Sequence, residues 1–142
     1  MGILLVLFLL FAQVPAGPLQ DVVQDYFSTR EIAEMPPLVL VPTRPPGAAS
    51  DCEGFVEADR GTVIYIPTYS DVYQAALLDR FEALEARKRL AGVIAHEWYH
   101  IKHHGEGEFG AYDAQILKLL NVHASESTLR AVRRAQQHYR PQ

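Results

Sequence analysis

This chain has almost no means of cross-linking itself. Its 142 residues include a single cysteine, Cys52, so no internal disulfide can form and the fold must rest on its apolar core. No histidine neighbours Cys52 in sequence, and it reads as a partly buried bystander rather than a nucleophile. A basic excess is missing as well. The formal net charge is −4, which argues against nucleic acid as the natural partner. Arg130, Arg133, Arg134 and Arg140 are then a solvated face of the last helix. Long apolar runs are scarce: the longest, Ile3 to Ala12, is half of the roughly 20 residues a helix needs to cross a bilayer. Internal repeats and low-complexity tracts are absent.

The N-terminus reads as a sorting signal. The apolar run is followed by Val14-Pro15-Ala16, small residues where a signal peptidase acts, so residues 1–16 read as a signal peptide cleaved after Ala16. The expected location is export, extracellular or periplasmic, with no stable membrane span after cleavage. No Lys or Arg precedes the run, and an uncleaved N-terminal anchor is the competing reading. The only cysteine is too far downstream to carry a lipid anchor.

The most informative stretch is His96-Glu97-Trp98-Tyr99-His100, an HExxH pentapeptide. Residues four apart on a helix lie on one face, so both imidazoles can reach a single cation. Glu97 projects beside the first of them, where a carboxylate can take a proton from water. The preceding run Leu90-Ala91-Gly92-Val93-Ile94-Ala95 is apolar, which predicts a largely buried helix. Burying ionisable groups without partners costs several kcal/mol, and a metal ion would satisfy all three together. His103 and His104 share the helix stripe, yet His104 stands about 12 Å along the axis from His96, too far to join the same tetrahedral ion. A third ligand must come from another segment.

Gly105-Glu106-Gly107 stops the helix, and an apolar period restarts at Phe109, Ala111, Ile116, Leu117, Leu119 and Leu120, which predicts an αα-hairpin. The motif helix and its flanking segments, residues 60 to 117, resemble the active-site region of the zincin metallopeptidases. On the returning helix, Glu108-Phe109-Gly110-Ala111-Tyr112 is similar to the segment with which gluzincins deliver their third ligand, with Tyr112 in place of the usual acidic residue. That resemblance implies metal ligands His96, His100 and Glu108. Hairpin geometry alone favours position 112 or 113, which keeps Asp113 open as the rival ligand or as a carboxylate that orients a ligand histidine.

Elsewhere the reading is coarser. Asp21 to Glu34 has helical apolar spacing. Prolines between Pro36 and Pro46 flank the extended run Leu38-Val39-Leu40-Val41, followed by a loop to Asp51. Phe55 to Ala58 and Thr62 to Ile66 read as strands joined through Asp59-Arg60-Gly61 in a hairpin. The second of these stands upstream of the motif helix, as does the zincin edge strand that pairs with extended substrates. Ser70-Asp71 starts a helix whose apolar stripe runs from Val72 to Leu90, with Gly92 marking the join to the motif helix. Ser125 caps a terminal helix. The expected fold is α+β: a small zincin-like domain with a short antiparallel sheet packed on the active-site helix and the hairpin after it. Residues 17–50 form an N-terminal helix and Pro-rich segment, and residues 51–142 the metallopeptidase-like domain.

The chemistry implied is zinc-dependent hydrolysis of a peptide or protein substrate, with Zn²⁺ as cofactor and Glu97 as general base. Tyr112, His103, His104, His123 and His138 are open candidates to donate to an oxyanion. Two other classes share the residues. One is a catalytically inactive zincin-like module that binds metal or protein. The other is a plain divalent-ion surface made of His96, His100, His103 and His104.

Overall fold

The computed structural model describes residues 14–44, 46, 51–57, 61–79 and 81–141. The apolar run Ile3–Ala12 lies outside them, as do Ala58, Asp59 and Arg60 of the expected hairpin. Val14, inside the expected signal segment, is buried against the core.

Helix α1 spans Pro18–Tyr26 and begins with proline, whose fixed φ suits a first helical turn. Leu19, Val22 and Val23 fall on its buried face. The sequence predicts one helix from Asp21 to Glu34, but the chain breaks at Phe27 and a second helix, α2, covers Thr29–Glu34. Ser28 is the cause. Its hydroxyl accepts the Glu31 N–H at 3.1 Å while the Glu31 carboxylate accepts the Ser28 N–H at 2.9 Å, a reciprocal cap that favours a new helix start over continuation.

Strands β1 (Leu38–Val41) and β2 (Ile64–Pro67) form the two-stranded sheet, paired in parallel with Leu38 opposite Ile64. The antiparallel sheet expected from sequence is therefore corrected. The chain between residues 42 and 63 carries it back to the start of the sheet, the crossover that parallel pairing requires. Among the described residues the antiparallel element survives as an isolated bridge between Phe55 and Tyr65. β2 thus has β1 on one side and Phe55 on the other, and is not the free edge its sequence position suggests.

Helix α3 (Asp71–Ala76) is capped by Ser70, whose hydroxyl accepts the Tyr73 N–H. It ends well before Gly92. A turn follows, and α4 runs unbroken over Leu84–Lys102, so the helix join lies at residues 77–83. Gly92 has a packing role instead: a Cβ there would stand 3.0 Å from Leu119 Cδ2 and Cγ. Helices α5 (Glu108–Asn121) and α6 (Glu126–Gln137) complete the chain. α4 and α5 form the expected hairpin, turned at Gly105 and Gly107, both with positive φ (81° and 78°).

Leu19, Val22 and Met35 from the N-terminal segment pack in the same cluster as Ile64, Leu90 and Ile94. Each fully buried Leu or Ile contributes about 1.5–3 kcal/mol.

Candidate functional site

α4 turns its second half toward α5. His96 and His100 stand one turn apart on that face, and the hairpin brings Glu108, the first residue of α5, across from them. The Glu108 carboxylate meets both rings: Oε2 is 3.0 Å from His96 Nε2, and Oε1 is 3.2 Å from His100 Nε2. One ligating atom from each of the three residues can be chosen so that all lie within 4.8 Å of one another. Donors around a tetrahedral Zn²⁺, each about 2.0–2.1 Å from the ion, stand about 3.3 Å apart. The three side chains are therefore already near chelating separation.

The donor chemistry sharpens the fit. His96 Nδ1 lies 2.9 Å from Gln115 Oε1. That oxygen can only accept, so Nδ1 carries the ring proton of the neutral imidazole and donates it to Gln115. Nε2 then presents a lone pair to the Glu108 oxygen, and two lone pairs at 3.0 Å need a positive charge between them. Burial lowers the pKa of His96, outweighing the opposing pull of Glu108, which disfavours supplying that charge by protonating the ring. A cation held by His96, His100 and Glu108 resolves the conflict, and the His₂Glu donor set suits Zn²⁺.

Glu97, buried beside His96, has its Oε1 4.0 Å from His96 Nε2. Burial, and then the charge on Glu108, push its pKa up to about 8. A carboxyl with so high a pKa is largely protonated at neutral pH. A cation on the neighbouring donors, by offsetting the Glu108 charge, would favour the carboxylate form that can accept a proton from water. Its place is at the flank of the three donors rather than among them.

Asp113, the rival to Glu108, faces elsewhere. Its Oδ1 accepts from Gln136 Nε2 at 2.6 Å, tying α5 to α6. His103 closes α4 and pairs with Glu106 at 3.3 Å; His104 is exposed. Neither joins the cluster.

One contributor was missed from sequence: Gln115 holds His96 from behind. Tyr112, an oxyanion-donor candidate from sequence, packs its ring edge-on against His96 with centroids 4.7 Å apart. The signal was helical spacing: Glu108, Tyr112 and Gln115 recur at intervals of four and three, one stripe of α5.

These groups open into a cleft of about 650 Å³ whose far wall is α6 and whose rim is the segment around Gly54. A Cβ on Gly54 would lie 2.6 Å from Val93 Cγ1 and 3.3 Å from Glu97 Cγ, so only glycine lets this backbone lie directly on α4. Glu53 at the rim is held by Arg89. Comparison with protein-family models, with characterised proteins and with solved structures finds no match to this chain, and the site is read from its own geometry.

Proposed function

We propose that the chain is an exported, zinc-dependent peptide hydrolase of zincin-like, gluzincin type. The observation that carries this reading is the convergence of His96 Nε2 and His100 Nε2 on the Glu108 carboxylate, with the His96 proton already spent on Gln115. Zn²⁺ held by these three residues would supply Lewis acidity and an acidified water at its open position. Glu97 takes the proton from water in the cleft and returns it to the leaving amine. Gln115 fixes the His96 tautomer, and Tyr112 fixes the ring plane.

A peptide is the favoured substrate because of the rim. Phe55 exchanges both backbone hydrogen bonds with Tyr65, at 3.0 and 2.8 Å, so the N–H of the next residue, Gly54, is directed away from β2. Gly54 lines the cleft beside Glu97. An extended substrate laid there would add a strand to this edge.

Glu97→Gln tests the reading with the zinc-loaded protein and an unstructured protein substrate. Metal content should stay equal to that of the parent, while hydrolysis falls by about 100-fold or more. Equal turnover in the two proteins would remove Glu97 from the mechanism. A parent chain that binds zinc and cleaves nothing would favour the inactive binding module.

A further inference from the structure

Glu108 is the donor with the least behind it. It opens α5, and Gly107, the residue that precedes it, offers that helix no side-chain cap. Uncapped helix ends fray. The loop from His103 to Gly107 also stands clear of the fold: each of its residues is exposed, and a Cβ on Gly105 or Gly107 would meet no atom beyond its chain neighbours within 4 Å. Both glycines have positive φ, and a backbone so free has many conformations to lose before the Glu108 carboxylate can face the two histidines. A tie across the loop would remove most of them.

Tyr99 makes such a tie. It precedes His100 on α4, and its ring crosses to α5 over Gly110, where a Cβ would overlap its hydroxyl and stand 2.5 Å from its Cζ. The hydroxyl then donates to Glu106 Oε2 at 2.9 Å. His103 joins the same arrangement. Its ring stacks on Tyr99 with centroids 4.2 Å apart, and its Nδ1 lies 3.3 Å from that Glu106 oxygen. Glu106 is thus gripped two residues ahead of Glu108, while Gly110 receives the tyrosine two residues behind it. Glu108 lies between the two points at which one side chain holds the backbone.

We propose that Tyr99 is a positioning residue for the metal centre, holding Glu108 against His96 and His100 through its bond to Glu106 and its seat on Gly110. This rests on the metal reading of the three donors. Tyr99 supplies no ligand of its own; it keeps the first turn of α5 in place so that the third ligand arrives with little ordering left to do. Glycine at position 110 belongs to the same device, since alanine is the better helix former and would close the space the ring needs. A single hydrogen bond is a small part of the stability of a whole fold, so the effect is expected in metal binding rather than in folding.

The test uses the full chain with Co²⁺ in place of Zn²⁺, because the visible absorption of that ion reports the number and geometry of its ligands. Affinity is measured against a chelator, and the urea midpoint of the metal-free chain reads folding separately. Tyr99→Phe removes only the hydroxyl, and Gly110→Ala displaces the ring while favouring the helix. Each should lower Co²⁺ affinity by about tenfold and alter the absorption of the bound ion, with the Gly110→Ala midpoint no lower than the parent's. Glu106→Ala should match them. Glu106→Gln, whose amide oxygen still accepts the hydroxyl, should bind as the parent does. Parent-like affinity in either Tyr99→Phe or Gly110→Ala overturns the proposal and leaves the metal site standing. So does a loss of affinity that follows a lower urea midpoint, which would make Tyr99 a general support of the fold. A parent chain that takes up no Co²⁺ removes the metal reading of the site and this inference with it.

Discussion

The Gln115 side-chain oxygen accepts the Nδ1 proton of His96 at 2.9 Å, from a helix nineteen residues downstream. This one contact decides which nitrogen of His96 is free for a cation, and it also ties α5 to α4 at the level of the site. Because the amide is itself buried, nothing from solvent replaces it readily.

Gln115→Leu keeps the volume roughly constant while removing the acceptor. The ring then loses its fixed tautomer, and the buried Nδ1–H is left unpaired. Zinc affinity, measured by competition with a chelator, should fall about 10- to 100-fold, the usual effect of removing a group that orients a ligand histidine. Gln115→Glu should retain affinity, since a carboxylate also accepts that proton. An unaltered affinity in the leucine variant would show that the contact does not govern binding.

Glu108 and Asp113 can be separated by the same titration. Glu108 reaches both histidines, whereas Asp113 is engaged with Gln136. Glu108→Ala should weaken zinc by more than the range expected for an orienting group, beyond about 100-fold. Asp113→Ala should leave affinity within a few-fold and cost only the α5–α6 contact. The reverse ranking would return the ligand role to Asp113.

How far these features could be read from sequence depended on their range. Spacing along one helix was sufficient for His96 and His100, because i,i+4 positions share a face whatever surrounds them. The glycines at 105 and 107 likewise announced the hairpin. The position of Glu108 followed from resemblance and not from hairpin arithmetic, which favoured 112 or 113. That arithmetic assumed a turn tight at Gly105, whereas α4 closes at His103 and α5 opens only at Glu108, so the returning helix begins later. The parallel pairing was illegible for a different reason: that the strand at Ile64–Pro67 takes Leu38–Val41 as a partner as well as Phe55 is a long-range choice that local propensity does not determine. The exposed Leu78 and Phe81 mimicked a helix interior because periodicity reports spacing and cannot show where a helix ends.

Gly92 offers a test of packing against propensity. In an exposed helix, Gly→Ala gains about 1 kcal/mol. Here the added methyl would meet Leu119 at 3.0 Å, and Leu119 is itself fully buried. Gly92→Ala should therefore lose that gain, and Gly92→Val should destabilise by about 1–3 kcal/mol through overpacking, read as a lower midpoint in urea with an unchanged slope. A Gly92→Val variant as stable as the parent would mean that α4 and α5 are less closely apposed than their side chains indicate.

The cap of α6 predicts a pH dependence. Glu85 on α4 accepts the Ser125 N–H at 2.8 Å and the Thr128 hydroxyl at 2.7 Å, binding the start of α6 to the start of α4. Burial alone would raise its pKa, but the hydrogen bonds from Ser125 and Thr128 and the charge of Lys88 outweigh it and hold the carboxyl below the usual carboxylate range. A depressed folded-state pKa means that the ionised form stabilises the fold, with that contribution fully present above the unfolded value of about 4.3 and lost as pH falls through the folded value. Glu85→Gln should thus cost about 1–2 kcal/mol at pH 7, the worth of hydrogen bonds to a charged acceptor. The difference from the parent should shrink once the pH drops below about 4. Urea unfolding of both proteins across that interval measures it, and a stability gap that stays constant down to about pH 3 would show that the ionised carboxylate is not what secures α6.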